Sequence, residues 1–238
     1  MFKQEIARHT GKETRASLLA HAIRLFREKG FDATTMRNVA DASEMAAGAA
    51  YYYFPSKEAI VQAYYEEVQS EHARRVDAEL ATRKLELEER LRLAFHTKFD
   101  ILANDRKLLG ALFRYSADPQ HPLSVFGAAS ASIRDASMKV FADAVGNEKL
   151  PEDIRAILPA ALWAAHLGVL LYFIYDDSPE QIRTRKLIDG VTRLIVRVLG
   201  LAKMAILKPF RGSLISLLND ANLLPDTTAR AEIVRAER

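Results

Sequence analysis

Apolar residues return at three- and four-residue spacing along almost the whole chain, and no segment alternates apolar with polar. That pattern lays one apolar stripe along each of a series of helices and offers no strand its two-residue period. The fold class it predicts is all-α. Leu18, Leu19, Ala22, Ile23 and Phe26 form the first stripe, which Gly30 ends as a left-handed cap. Thr34 and Thr35 offer an N-cap ahead of Met36, Val39 and Ala40. Asp41 to Met45 is a break, a short helix follows from about Ala46 to Tyr53, and Pro55-Ser56 is a second break. Ser56 caps a long helix to about Thr82. Further helices are expected near Glu86–Ala103, Asp105–Ser116, Leu123–Val145, Glu152–Tyr175 and Pro179–Lys208, with turn-forming runs such as Asp118-Pro119-Gln120-His121-Pro122 and Asp176-Asp177-Ser178-Pro179 between them. Residues 209–238 read as a short helix around the apolar patch Leu214 to Leu218, followed by a polar, mobile tail.

Composition removes several classes of function. The 238 residues include no cysteine, so disulfides, thiolate nucleophiles and Cys-based zinc sites are excluded, and a reducing cytoplasm fits. His9, His21, His72, His96, His121 and His166 are scattered, with no His-x-x-x-His pair, so no metal site is expected. No glycine-rich phosphate loop and no nucleophile–base arrangement is visible, and the adjacent carboxylates Glu66-Glu67 and Glu88-Glu89 diverge by about 100° on a helix. The expectation is a protein that is not an enzyme and carries no cofactor. Met1 to Lys12 lacks the apolar core of a signal peptide. The most apolar stretch, Ile157 to Tyr175, approaches the length of a membrane span, but Pro159 lies inside it and acidic residues flank it, which favours a buried helix of a soluble, cytoplasmic protein.

Residues 1–57 hold nine Lys/Arg against six Asp/Glu, while the remainder is balanced, so the whole formal charge of +3 lies at the N-terminal end. The same end carries three short helices with breaks of helix-turn-helix length. Its run Gly30-Phe31, Thr34-Thr35, Val39-Ala40, Gly48, Tyr51, Tyr53-Phe54 and Ser56-Lys57-Glu58 resembles the DNA-binding domain of the TetR family of transcriptional repressors. The resemblance implies a DNA-binding domain over residues 12–72, with its helix-turn-helix at about 35–54. A helical effector-binding and dimerisation domain would then occupy 73–208.

The residues themselves suggest how such a domain would touch double-stranded DNA. Thr35, at a helix start, can offer its hydroxyl and nearby N–H groups, including that of Met36, to a phosphate. Arg37 can pair a phosphate, reach guanine, or simply face solvent. Tyr51 and Tyr52 can send hydroxyls to phosphates or lay rings on sugars, with Tyr51 equally readable as core; Tyr53 and Phe54 read as core. Lys57 can pair the backbone as a point charge. Gly48 removes a side chain where the recognition helix approaches DNA or the preceding helix. The sequence departs from the family where relatives carry Gly and polar residues: here stand Glu44, Ala46, Ala47 and Ala49. Direct hydrogen-bonded base readout should therefore be thin, with alanine methyls meeting thymine methyls.

The resemblance further implies a homodimer whose seam is built by the helices near 152–175 and 179–208. On the first, Leu158, Leu162, Ala165, Val169 and Phe173 form one apolar face, while the small residues Ala161, Ala164, Ala165 and Gly168 permit close approach; on the second the face is Leu187, Val191, Leu194, Ile195, Val198 and Leu201. It also implies a small, apolar or amphipathic effector held among Phe95, Phe99, Leu102, Leu112, Phe113, Phe126, Met138, Trp163, His166 and Tyr172, each of which is individually readable as core. Effector binding would pull the long helix from Ser56 to Thr82 and reset the half-site spacing. The alternative is a dimeric DNA-binding protein without a small-molecule effector, controlled by a protein partner or simply packaging DNA.

Overall fold

The computed structural model describes residues 2–204 and, beyond them, only Pro209, Gly212, Ser213, Ser216 and Asp220. The expected short helix and tail therefore lie, apart from those positions, outside the described residues. Among the described residues the chain forms nine α-helices and no strand. In order they are α1 (Phe2–Lys29), α2 (Met36–Ala42), α3 (Ala47–Tyr53), α4 (Lys57–Thr82), α5 (Leu87–Ile101), α6 (Arg106–Phe113), α7 (Ala131–Val145), α8 (Glu152–Tyr175) and α9 (Ile182–Ala202). They divide into two compact units, Met1–Arg75 with Lys98–Ala136, and Val76–Thr97 with Ser137–Arg238.

In the first unit α1 packs on α2 and α6, and α2 packs on α3. The core is the predicted stripe of α1, with Leu18, Leu19, Ala22, Ile23 and Phe26 buried, together with Val39, Ala40, Ala50, Phe54, Ile60 and Val61. Gly30 ends α1 at φ +90°, its N–H bonded to the Phe26 carbonyl. Thr35 caps α2 in a reciprocal box with Asn38: the Asn38 N–H donates to Thr35 Oγ1 at 3.1 Å, and the Thr35 N–H donates to Asn38 Oδ1 at 2.9 Å. Ser56 accepts from the Ala59 N–H at the start of α4.

Three expected helices are shorter than their patterns. α6 begins at Arg106, and Asp105 makes no side-chain cap because Arg27 and Tyr64 take both of its oxygens. α7 begins at Ala131 rather than Leu123: Ser124 donates to the Ser116 carbonyl and the chain turns at Gly127, followed by a 3-10 turn at Ala128–Ser130. α9 begins at Ile182 rather than Pro179, because Glu180 and Gln181 both take left-handed φ values, 51° and 52°.

In the second unit α8 packs on α9. Phe95 and Phe141 meet with ring centroids 5.1 Å apart, and the His166 ring lies 5.9 Å from Phe141. Arg90 gathers the end of α7, donating to the carbonyls of Ala144 (2.7 Å) and Val145 (3.2 Å) and to Glu148. Leu158, Leu162, Val169 and Phe173 are buried within the unit. These four side chains are taken up by the core of their own unit. α8 is long and apolar enough to cross a membrane by length and composition, and a third of its most apolar window is buried within the unit. The face left open holds Ala161, Ala164, Gly168, Leu171, Tyr172 and Tyr175. On α9 the residues Leu194, Val198 and Leu201 are more than half exposed, and Leu187, Val191 and Ile195 are half-buried.

Candidate nucleic-acid interface

The loop between α2 and α3 sets the geometry of the helix-turn-helix. The Ser43 N–H donates to the carbonyls of Val39 and Ala40, the Met45 N–H returns to Ala40, and Glu44 bridges them at φ 54°. A left-handed residue at this position explains why a glycine suits it, so the departure at Glu44 carries backbone strain. His21 Nδ1 lies 3.1 Å from Ser43 Oγ and ties this turn to α1. Ala46 enters α3 extended, with no side-chain cap, as the loss of a polar residue there predicts.

α3 buries Ala50 inward and turns its other side out. Ala46, Ala47 and Gly48 are exposed, Tyr51 is 52% and Tyr52 84% exposed, and the Tyr52 and Tyr53 rings meet edge to face at 5.2 Å. A Cβ built on Gly48 would meet nothing within 4 Å. Close approach to the preceding helix is therefore not why a glycine stands there. At the start of α2, Thr35 and Arg37 are exposed, but the Thr35 hydroxyl already donates to Asn38 Oδ1 at 2.8 Å. The Met36 side chain is buried, so only its backbone could contribute.

Lys57 differs most from its sequence reading. Its Nζ donates to the Phe31 carbonyl at 2.7 Å and lies 4.5 Å over the Phe31 ring. It clamps the start of α4 to the start of the α1–α2 connection, a role with no local sequence signal because its partner lies 26 residues away. Arg15 plays a similar part over the Phe54 ring, at 4.5 Å.

The candidate effector residues divide between the units. Phe99, Leu102, Leu112, Phe113 and Phe126 belong to the first; Phe95, Met138, Trp163, His166 and Tyr172 belong to the second. Phe95, Phe99, Leu102, Leu112 and His166 are buried, Met138 and Trp163 half-buried, and Phe113, Phe126 and Tyr172 exposed. Of these, Phe95 and His166 are brought together, 6.2 Å apart. Among the described residues no cluster of His, Asp and Glu is arranged to hold a metal ion.

Comparison with known proteins agrees with this architecture. Residues 18–64 match the model of bacterial regulatory proteins of the TetR family, and residues 90–212 match that of the tetracyclin repressor-like C-terminal domain. The chain belongs to the TetR family of bacterial regulatory proteins. It is 47% identical over 47 residues to the HTH-type transcriptional repressor KstR2 of Rhodococcus jostii, and 38% identical over 50 residues to the HTH-type regulator YuxN of Bacillus subtilis. Those stretches span 23% and 17% of the two relatives. The fold is shared with the crystal structure of a TetR-family regulator from Streptomyces coelicolor, at 18% identity and TM-score 0.62, covering 94% of this chain and 96% of that one.

Proposed function

We propose that this protein is a cytoplasmic, DNA-binding transcriptional repressor that acts as a homodimer and leaves its operator when a small apolar or amphipathic molecule binds. One observation carries the DNA-binding part. α3 buries one side in the core and exposes Ala46, Ala47, Gly48, Tyr51 and Tyr52 on the other, with Thr35 and Arg37 exposed at the start of α2. A helix of this kind reads the major groove, with its flanking hydroxyls and guanidinium on the phosphates. The printed name of KstR2 supports repression as the direction of control.

Dimerisation is supported by the apolar residues that one chain leaves in water. Leu187, Val191, Leu194, Val198 and Leu201 follow one another on α9 at alternating four- and three-residue steps, the spacing of a helix–helix seam. The small exposed residues of α8, rather than its buried leucines, are the complementary surface. For the effector, Met138 and Trp163 of the second unit keep accessible surface. α4 contributes residues to both units and is about 39 Å long, so it can act as the two-state element that ligand and operator bias in opposite directions. Selection of operators from genomic fragments, followed by release assays with candidate effectors, tests the proposal. Specific fragments released by a small molecule are expected; fragments that no small molecule releases would favour control by a protein partner.

A further inference from the structure

One edge of α4 in the first unit is polar. Gln62, Tyr65, Gln69 and His72 follow each other at three- and four-residue steps, and Gln69 and His72 are buried. Opposite them α5 carries Lys98 in the middle of its apolar stripe, one turn before Leu102; Lys98 is 8% exposed and Leu102 is 3% exposed. Lys98 Nζ donates to Gln69 Oε1 at 2.8 Å, so its acceptor is a neutral amide. That bond fixes the orientation of the amide, and the Gln69 Nε2 on the other side is buried without a hydrogen-bond partner. Burial alone pushes the Lys98 ammonium down to about 7, with no carboxylate holding it up.

A buried ammonium without a countercharge and a buried amide N–H₂ without an acceptor are both costly to fold. They lie side by side, and each lacks the same thing, an oxygen acceptor carrying negative charge. Tyr65 adds a third polar group one turn from Gln69. Desolvation raises its phenol, although the residue as a whole keeps some accessible surface.

We infer that Lys98 and Gln69 form an anion-binding subsite for the effector, whose recognised class is an amphipathic monocarboxylate with its head on these two residues and its apolar body along Leu102 and its neighbours. The inference rests on the effector reading above and narrows it. A carboxylate would accept from Lys98 Nζ and Gln69 Nε2 together and supply the missing charge. Met138 and Trp163 then have no part in holding the head.

The test compares decanoate with 1-decanol on the full-length protein, reading affinity by quenching of Trp163, the single tryptophan, and by thermal shift. Wild type is expected to bind decanoate about tenfold or more tightly than 1-decanol, the scale of a charge-assisted bond in a buried site. Lys98→Met and Lys98→Gln should each erase that preference, and Lys98→Met should melt at or above the unliganded wild type because it removes an uncompensated buried charge. Equal binding of the two probes by wild type, a preference that survives in both variants, or binding of neither would overturn the inference. Operator release separates the two claims. Release by uncharged hydrophobic compounds with carboxylates inert would overturn this subsite and leave the effector reading standing. Release by neither class would overturn both.

Discussion

Arg27 and Asp105 stand 78 positions apart in sequence and are joined by two hydrogen bonds, of which Nη2 to Oδ2 is 3.0 Å long. Tyr64 adds a third, its hydroxyl donating to Asp105 Oδ2 at 2.6 Å. The three residues come from α1, the position before α6, and α4, so one buried carboxylate ties three helices of the first unit. The hydrogen bonds that Arg27 donates to Asp105 raise it above its ordinary value; burial first, and then the bond to Asp105, raise the Tyr64 phenol. Asp105→Ala leaves the Tyr64 hydroxyl buried without its acceptor and is expected to cost about 3 kcal/mol, with Tyr64→Phe costing about 1 kcal/mol. Urea denaturation checks both. A loss below about 0.5 kcal/mol in Asp105→Ala would mean that the pair contributes no more than a surface ion pair.

Glu44 sits in the turn of the helix-turn-helix at φ 54°. A non-glycine residue there costs about 1–2 kcal/mol, part of which glycine returns as unfolded-state entropy. Glu44→Gly should therefore raise stability by roughly 0.5–1 kcal/mol, whereas Glu44→Ala, which keeps the Cβ, should not. Thermal unfolding of the two variants separates backbone strain from any effect of the carboxylate.

The exposed and the clamped residues of the interface should behave differently. Arg37→Ala and Tyr52→Ala are expected to weaken operator binding by about 1–3 kcal/mol each with little change in melting temperature, and Arg37→Ala should lower the salt slope by about 1. Lys57→Met removes a bond to the Phe31 carbonyl and a cation over its ring, so its effect should fall on stability, about 1–2 kcal/mol, while the folded protein binds nearly as wild type. Fluorescence anisotropy at several salt concentrations, beside melting curves, reads both quantities.

Asp176 holds the turn between α8 and α9. It accepts from the N–H and hydroxyl of Ser178 at 3.0 and 2.6 Å, and from those of Thr184 at 2.8 and 2.7 Å. Burial works against its charge, but these four donors outweigh it and hold the carboxyl below the usual carboxylate range. A carboxylate lowered on folding stabilises the protein fully above its unfolded value near 4, and the contribution is lost as pH falls below that. Asp176→Asn should cost on the order of 2 kcal/mol at pH 7, and the gap to wild type should narrow below about pH 4. A gap independent of pH between 7 and 3 would assign the effect to shape rather than charge.

Much of this was legible in the sequence. The stripe from Leu18 to Phe26, the glycine stop at Gly30, the Thr35 cap and the bounds of α8 all follow from local chemistry that the fold leaves undisturbed. What escaped depends on partners far along the chain. Asp105 pairs with Arg27, 78 positions away, and Lys57 with the Phe31 carbonyl, 26 positions away. The left-handed pair Glu180 and Gln181 carries no glycine to announce it. On α8 the large residues of the apolar stripe, Leu158, Leu162, Val169 and Phe173, go to the core of their own unit, so the open surface holds the small residues Ala161, Ala164 and Gly168 beside Leu171, Tyr172 and Tyr175. The lack of a countercharge at Lys98 appears only once its neighbours are known.

In the proposed dimer two copies of α3, held by a seam that includes Leu194 and Val198, read two half-sites on one duplex. Selection from a random duplex pool, run with wild type and with a Leu194→Glu/Val198→Glu variant, tests it most directly. Wild type is expected to enrich an inverted repeat with half-site centres about 34–36 Å apart, and the variant, monomeric by light scattering, to lose that enrichment. Enrichment of single, unpaired sites by wild type, or no enrichment above bulk DNA, would contradict it.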